Sequence, residues 1–247
     1  MKRETLRQTI ITISAVLMPF LLVFISPVVA LMAAADGTIA TCTIVFVLLY
    51  LLAMFLGRLW CGWLCPCGGM QDLIGMFSKK KTQENRTLLK VKATISISWI
   101  LAIVILYVLA GGIPSINPYY SVENGIGGLF PGMVYASLFI IAIFVILTAI
   151  FGVRAFCRHL CPVGFLLIFG RAAGRDHRIP QLGVTFYPKK CVHCGNCIRS
   201  CPMGIKVVMP KIYYTDSPNC INCGVCCEEC KTGALKHEIC RDWDVKK

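Results

Sequence analysis

Residues 191–202 read CVHCGNCIRSCP, and residues 220–231 read CINCGVCCEECK. Both spell C-x2-C-x2-C-x3-C. A shift of 29 residues lays Cys191, Cys194, Cys197 and Cys201 on Cys220, Cys223, Cys226 and Cys230, and Gly204 on Gly233. The spacing has a chemical reason: three thiolates on a tight loop cap one face of an Fe4S4 cube, while the fourth points away and serves a second cube. The doubled run predicts two 4Fe-4S clusters with crossed ligation. Cys191, Cys194, Cys197 and Cys230 take one, and Cys220, Cys223, Cys226 and Cys201 take the other.

Zinc is the competing use for dense cysteines, but its sites are built from paired C-x2-C knuckles at longer separations. Two local departures leave the ligand set intact. Lys231 stands where a proline usually follows the fourth cysteine, and Cys227 adds a thiol beside Cys226. His193 sits inside a ligand loop that already has its full complement of thiolates, and Cys240 reads as incidental.

Outward from this tail the composition changes character. The 247 residues are 57% hydrophobic and 15% charged, against about 45–50% and about 25% in soluble domains. Apolar runs near 10–33, 38–58, 93–113 and 132–152 each reach the roughly 20 residues of a membrane-spanning helix. The predicted fold class is an all-α membrane bundle of four transmembrane helices, arranged as two parallel-repeat hairpins, followed by a small α+β ferredoxin-like domain. The predicted organisation is an N-terminal arm at 1–9, a first hairpin at 10–58 and a loop at 59–92. A second hairpin at 93–152 follows, then a motif with an interfacial helix and linker at 153–184, and the cluster domain and tail at 185–247.

The net charge of +13 does not point to nucleic acid. The connectors at 34–37 and 114–131 carry no Lys or Arg, so all 25 fall in the other segments and the span ends that face them. That asymmetry reads as positive-inside topology, with both termini and the ferredoxin domain cytoplasmic and membrane lipid as a partner. Fifteen of the 16 cysteines then lie on a reducing side, where they serve as metal or cluster ligands rather than disulfides. Cys42, near the outer end of the second run, reads as a small buried residue.

A second repeat has a period of 96 residues: RLWCGWLCPCG at 58–68 aligns with RAFCRHLCPVG at 154–164. Arg58 meets Arg154, Cys61 meets Cys157, Cys65 meets Cys161, and Pro66 meets Pro162. On a helix continuing from the preceding span, cysteines four apart share a face. Four soft ligands converging from two such ends suit a further iron–sulfur cluster held by Cys61, Cys65, Cys157 and Cys161. A redox-active dithiol, or a purely structural helix stop, remains open for the same residues. Cys67 is a spare thiol and His159 a weaker candidate ligand, while Arg58 and Arg154 are expected to snorkel to headgroups, with a role in lowering cluster charge as the alternative.

Duplicated CxxxCP motifs at span ends, together with the C-terminal CxxCxxCxxxC pair, resemble the NapH/MauN family of membrane ferredoxins. The resemblance covers almost the whole chain. It implies an electron-transfer subunit of an oxidoreductase complex, passing single electrons between quinol or quinone and another redox subunit. The alternative within the same family is an assembly or metal-reducing factor acting on a client metalloprotein. A transporter is the weakest class, because the runs hold essentially no charges of the kind that mark ion paths. NGIGG at 124–128 lacks the spacing of a dinucleotide site, and no C-x-x-C-H haem motif occurs. For a quinol site, Glu123 with Asn117, Tyr119, Tyr120 and Asp36 is one candidate group against the background of an ordinary interfacial belt; a pocket beside Cys61 and Cys157 is another.

Overall fold

The computed structural model describes residues 3–76, 86–111, 115–120, 131–205 and 217–240. Where one span is expected over 10–33, the chain forms α1 (Arg3–Val16), α2 (Met18–Ile25) and α3 (Pro27–Ala35). Proline is the cause, since it lacks an N–H and fits only the first turn of a helix. Pro19 sits in the first turn of α2 and Pro27 opens α3, where the Ser26 hydroxyl accepts from the Val28 and Val29 amides.

The β1 strand (Thr38–Ile39) leads into α4 (Thr41–Leu56), whose 16 residues span about 24 Å at 1.5 Å per residue. That is short of the roughly 30 Å hydrocarbon core. Gly57, at φ 59°, ends the helix. Two short elements follow, α5 (Leu59–Trp63) and α6 (Pro66–Gly75), and then α7 (Arg86–Leu109). β2 (Ser115–Ile116) pairs in parallel with β1, tying together the loops that follow α3 and α7. The second half repeats the order with α8 (Pro131–Phe151), α9 (Ala155–His159) and α10 (Pro162–Asp176).

The four-span bundle is thereby corrected. Among the described residues one helix is long and apolar enough to cross a membrane, Leu89–Leu109 in α7, with a mean hydropathy of 2.1. Among the described residues the other runs are broken by prolines, stop at 16 residues, or count Leu138–Phe151 as their apolar stretch. The α7 window is 11% buried, whereas the core helix of a soluble protein is mostly buried.

The sharing of one helical face by Cys61 and Cys65 is also corrected. A residue before proline is pushed out of the helical region, so Cys65 (φ −69°, ψ 117°) and Cys161 (φ −65°, ψ 115°) are extended caps of α6 and α10. Their amides bond the Trp60 and Phe156 carbonyls at 2.9 and 3.0 Å, so the two motifs share one helix–break–helix shape.

After α10 come β3 (Gln181–Phe186), a 3-10 turn (Pro188–Lys190), α11 (Asn196–Ser200), α12 (Val225–Glu228) and β4 (Leu235–Cys240). β3 and β4 are antiparallel, with Gln181 opposite Cys240 and Phe186 opposite Leu235. The 29-residue repeat extends to the backbone: His193 and Asn222, Gly195 and Gly224, and Gly204 and Gly233 all have positive φ. Val184, Phe186, Met203, Ile221 and Leu235 close the core beneath the sheet.

α10, where an interfacial helix is expected, packs along α4. A Cβ at Gly170 or Gly174 would strike the carbonyls of Tyr50 or Met54, and Leu167 is buried. The last carbonyls of a helix have no intrahelical partners, and at the end of α4 the Cys-rich segment supplies them. Gln181 Nε2 donates to the Met54 carbonyl at 2.9 Å, and Asn222 Nδ2 donates to those of Leu56 at 2.9 Å and Leu182 at 2.8 Å.

Candidate metal centres

The cysteines gather around three cavities, four predicted ligands to each. Cys191, Cys194, Cys197 and Cys230 line one of about 740 Å³, where Cys194 is exposed to solvent. Cys201, Cys220, Cys223 and Cys226 line a second of about 20 Å³. Cys61, Cys65, Cys157 and Cys161 line a third of about 220 Å³, with Cys67 on its wall. Thus Cys230 and Cys201 each stand with the opposite loop, and the two CxxxCP motifs meet although α5 and α9 are 96 residues apart.

The donor chemistry fits iron–sulfur clusters. Among the described residues no three His, Cys, Asp or Glu side chains converge tightly enough for a single metal ion; the thiols surround volumes. Burial pushes the thiols of Cys61, Cys157, Cys201 and Cys220 above their ordinary range, Cys161 up to about 11 and Cys223 to about 12. Deprotonation at these sites needs a metal to offset the charge.

Buried charge packs behind the cysteine turns of the third cavity, and Arg58 lines it. Arg58, Lys92 and Arg154 are all fully buried, so the two arginines do not snorkel to a surface. Arg154 Nη1 donates to the Cys61 carbonyl at 2.6 Å, and Arg58 Nη2 donates to the Cys157 carbonyl at 3.3 Å. Asp72 receives Arg154 through two hydrogen bonds of 2.6 Å and Arg7 through one of 3.3 Å. Burial opposes its charge, but the two guanidiniums hold its carboxyl below the usual carboxylate value. Gln71 Nε2 donates to Cys157 Sγ at 3.2 Å, and the Gly164 amide donates to Cys161 Sγ at 3.4 Å.

The third cavity lies against the second. A Cβ on Gly62 would collide with the Ile221 carbonyl and reach the Cys223 amide at 3.5 Å. Trp63 Nε1 donates to the Asn222 carbonyl at 3.4 Å, and Arg7 Nη1 donates to that of Gly62 at 3.2 Å.

Asp72, Gln71, Lys92 and Asn222 escape notice in the sequence. Lys92 reads there as a topology charge, Asp72 and Gln71 belong to no ligand position, and Asn222 is a spacer inside CINC. Of the minor candidates, Cys67 lines the third cavity and His193 the first, while His159 is buried but lines none. Cys42 is fully buried. In the quinol group Tyr120 donates from its hydroxyl to Asp36, and Glu123 lies outside the described residues.

Three family models match along these sites. A "4Fe-4S binding domain" covers 38–83, and two "4Fe-4S dicluster domain" models cover 155–205 and 183–231. Among curated proteins, the methylamine utilization ferredoxin-type protein MauN of Methylobacillus flagellatus is 30% identical over 158 residues, 60% of this chain and 50% of MauN.

These similarities support a NapH/MauN-like family.

Other relatives match over similar lengths. YccM of Escherichia coli, assigned by its name to electron transport, is 25% identical over 68% of this chain and 48% of its own length. An uncharacterized protein of Methanocaldococcus jannaschii, MJ0749, is 33% identical over 70% of this chain and 62% of its own. The chain thus spans less than two thirds of the length of these relatives. No solved structure matches.

Proposed function

We propose that the protein is a membrane-anchored iron–sulfur electron carrier working between the quinone pool and a partner redox protein. The observation that carries this reading is the gathering of the twelve motif cysteines, four by four, around three cavities. A 4Fe-4S cluster supplies reversible one-electron chemistry at each. Cys191, Cys194, Cys197 and Cys230 hold the outermost, Cys201, Cys220, Cys223 and Cys226 the middle one, and Cys61, Cys65, Cys157 and Cys161 the innermost.

The remaining residues set up the route. Gly62, lacking a side chain, lets the third cavity approach the Ile221–Cys223 backbone. Exposed Cys194, with exposed Val192 and Ile198 beside it, is the contact face for the redox partner. Ile25, Val28, Ile140 and Phe144 form the apolar wall of the third cavity, a surface suited to a quinone ring and tail. Anchoring rests on the exposed apolar α7 and on outward-facing Phe20, Phe55 and Phe139, an amount of apolar surface that water does not favour.

Anaerobic purification with iron and sulfide analysis tests the proposal. About twelve irons per chain are expected at four per cube, and a quinol should reduce the clusters directly. Bound zinc, an iron-free protein, or clusters that ignore quinol and reduce only a client metalloprotein would overturn it.

A further inference from the structure

Two charged side chains at the third cavity are left without a counterpart. Arg58 and Lys92 are fully buried and both donate to one acceptor, the Cys157 carbonyl, at 3.3 and 3.2 Å. Arg58 Nη1 adds the Pro218 carbonyl at 3.2 Å, while its Nε has no hydrogen-bond partner among the described residues. Arg154 differs, because Asp72 compensates it. Among the described residues no carboxylate lies within ion-pair distance of Arg58 or Lys92. Two carbonyl dipoles, one of them shared, leave a large desolvation cost on two buried cations, which an anion in the cavity would offset.

Four thiolates around a 4Fe-4S core carry net negative charge, and one-electron reduction adds one more. We infer that Arg58 and Lys92 are the counter-charge to the group held by Cys61, Cys65, Cys157 and Cys161, and that they raise its reduction potential selectively. They are positioning residues for charge, and neither is a ligand. Nearby positive charge favours the more negative, reduced form, and net charge is among the factors that set cluster potentials. The inference rests on the cluster reading of the third cavity.

Potentiometric EPR of the full-length anaerobic protein tests it. The third signal is the one that Cys61→Ser abolishes. Lys92→Met and Arg58→Gln should each move that signal to lower potential and leave the other two in place, while Lys92→Arg should stay near wild type. Selective loss of the third signal in Lys92→Met, with retention in Lys92→Arg, would also support the counter-charge. A third signal that keeps its potential in Lys92→Met, equal movement of all three signals, or loss in both Lys92 variants would overturn it. A wild-type protein with no third signal would instead remove the cluster reading itself.

Discussion

Arg154 donates to the Cys61 carbonyl at 2.6 Å, and its repeat partner Arg58 returns the contact to the Cys157 carbonyl at 3.3 Å. Each half of the chain thus reaches across to the cysteine turn of the other. The glycines that follow make room: a Cβ at Gly68 would stand 3.0 Å from the Cys61 oxygen, and one at Gly164 would stand 3.1 Å from Arg58 Nη2. The exchange locks the two CxxxCP motifs around their common cavity. It is asymmetric in charge, because only Arg154 meets a carboxylate.

Asp72→Asn removes that carboxylate and leaves Arg154 buried against a neutral amide. Breaking one partner of a buried pair costs about 3–5 kcal/mol, so chemical denaturation should show a loss of that order with both CxxxCP motifs loosened. The native carboxyl lies below its ordinary value. Its contribution is therefore fully present above the unfolded pKa and disappears as pH falls through the lower folded value. The wild type should lose this increment on acidification, and Asp72→Asn should not.

Gly62→Ala places a methyl group against the Ile221 carbonyl. Overpacking of this kind costs about 1–3 kcal/mol. Thermal unfolding should shift down, and the third site should exchange electrons more slowly with the other two in rapid-mixing measurements. An unchanged melting temperature would show that the two segments are not in contact.

His237 is held neutral, its pKa lowered to about 4 by burial and by the neighbouring Arg3 guanidinium, whose Nη2 lies 2.8 Å from Nδ1. The unfolded chain takes up a proton near the ordinary value of about 6.5. Between those values the unfolded state binds more protons, so stability falls as pH drops from about 6.5 toward 4. Unfolding midpoints across that window should slope accordingly, and His237→Gln should flatten the slope.

Cluster loss should follow exposure. Cys194 is open to solvent, whereas Cys61 and Cys157 are buried. Titration with an iron chelator, followed by EPR, should bleach the site of Cys191, Cys194, Cys197 and Cys230 first and that of Cys61, Cys65, Cys157 and Cys161 last. Simultaneous loss would contradict the proposed assignment.

Asn222 shows where reading a sequence stops. In the 29-residue repeat it is the counterpart of exposed His193, and nothing marks it out. In the fold it is fully buried and caps the last carbonyl of α4. The span count failed for a related reason. Hydropathy averaged over a window records apolar residues but not the breaks at Pro19 and Pro27, which divide the first run, or the stop at Gly57, which holds α4 to 16 residues.

The amino-acid order alone determined the repeated cysteine spacing and the turn chemistry that presents it, because Cys spacing, glycine and proline act over a few covalent bonds. Tertiary structure alone decided which charges are buried with them: Asp72 with Arg154, and Arg58 beside Lys92 at the Cys157 carbonyl. A side chain's electrostatic surroundings depend on which helices meet it, and a linear sequence does not state that.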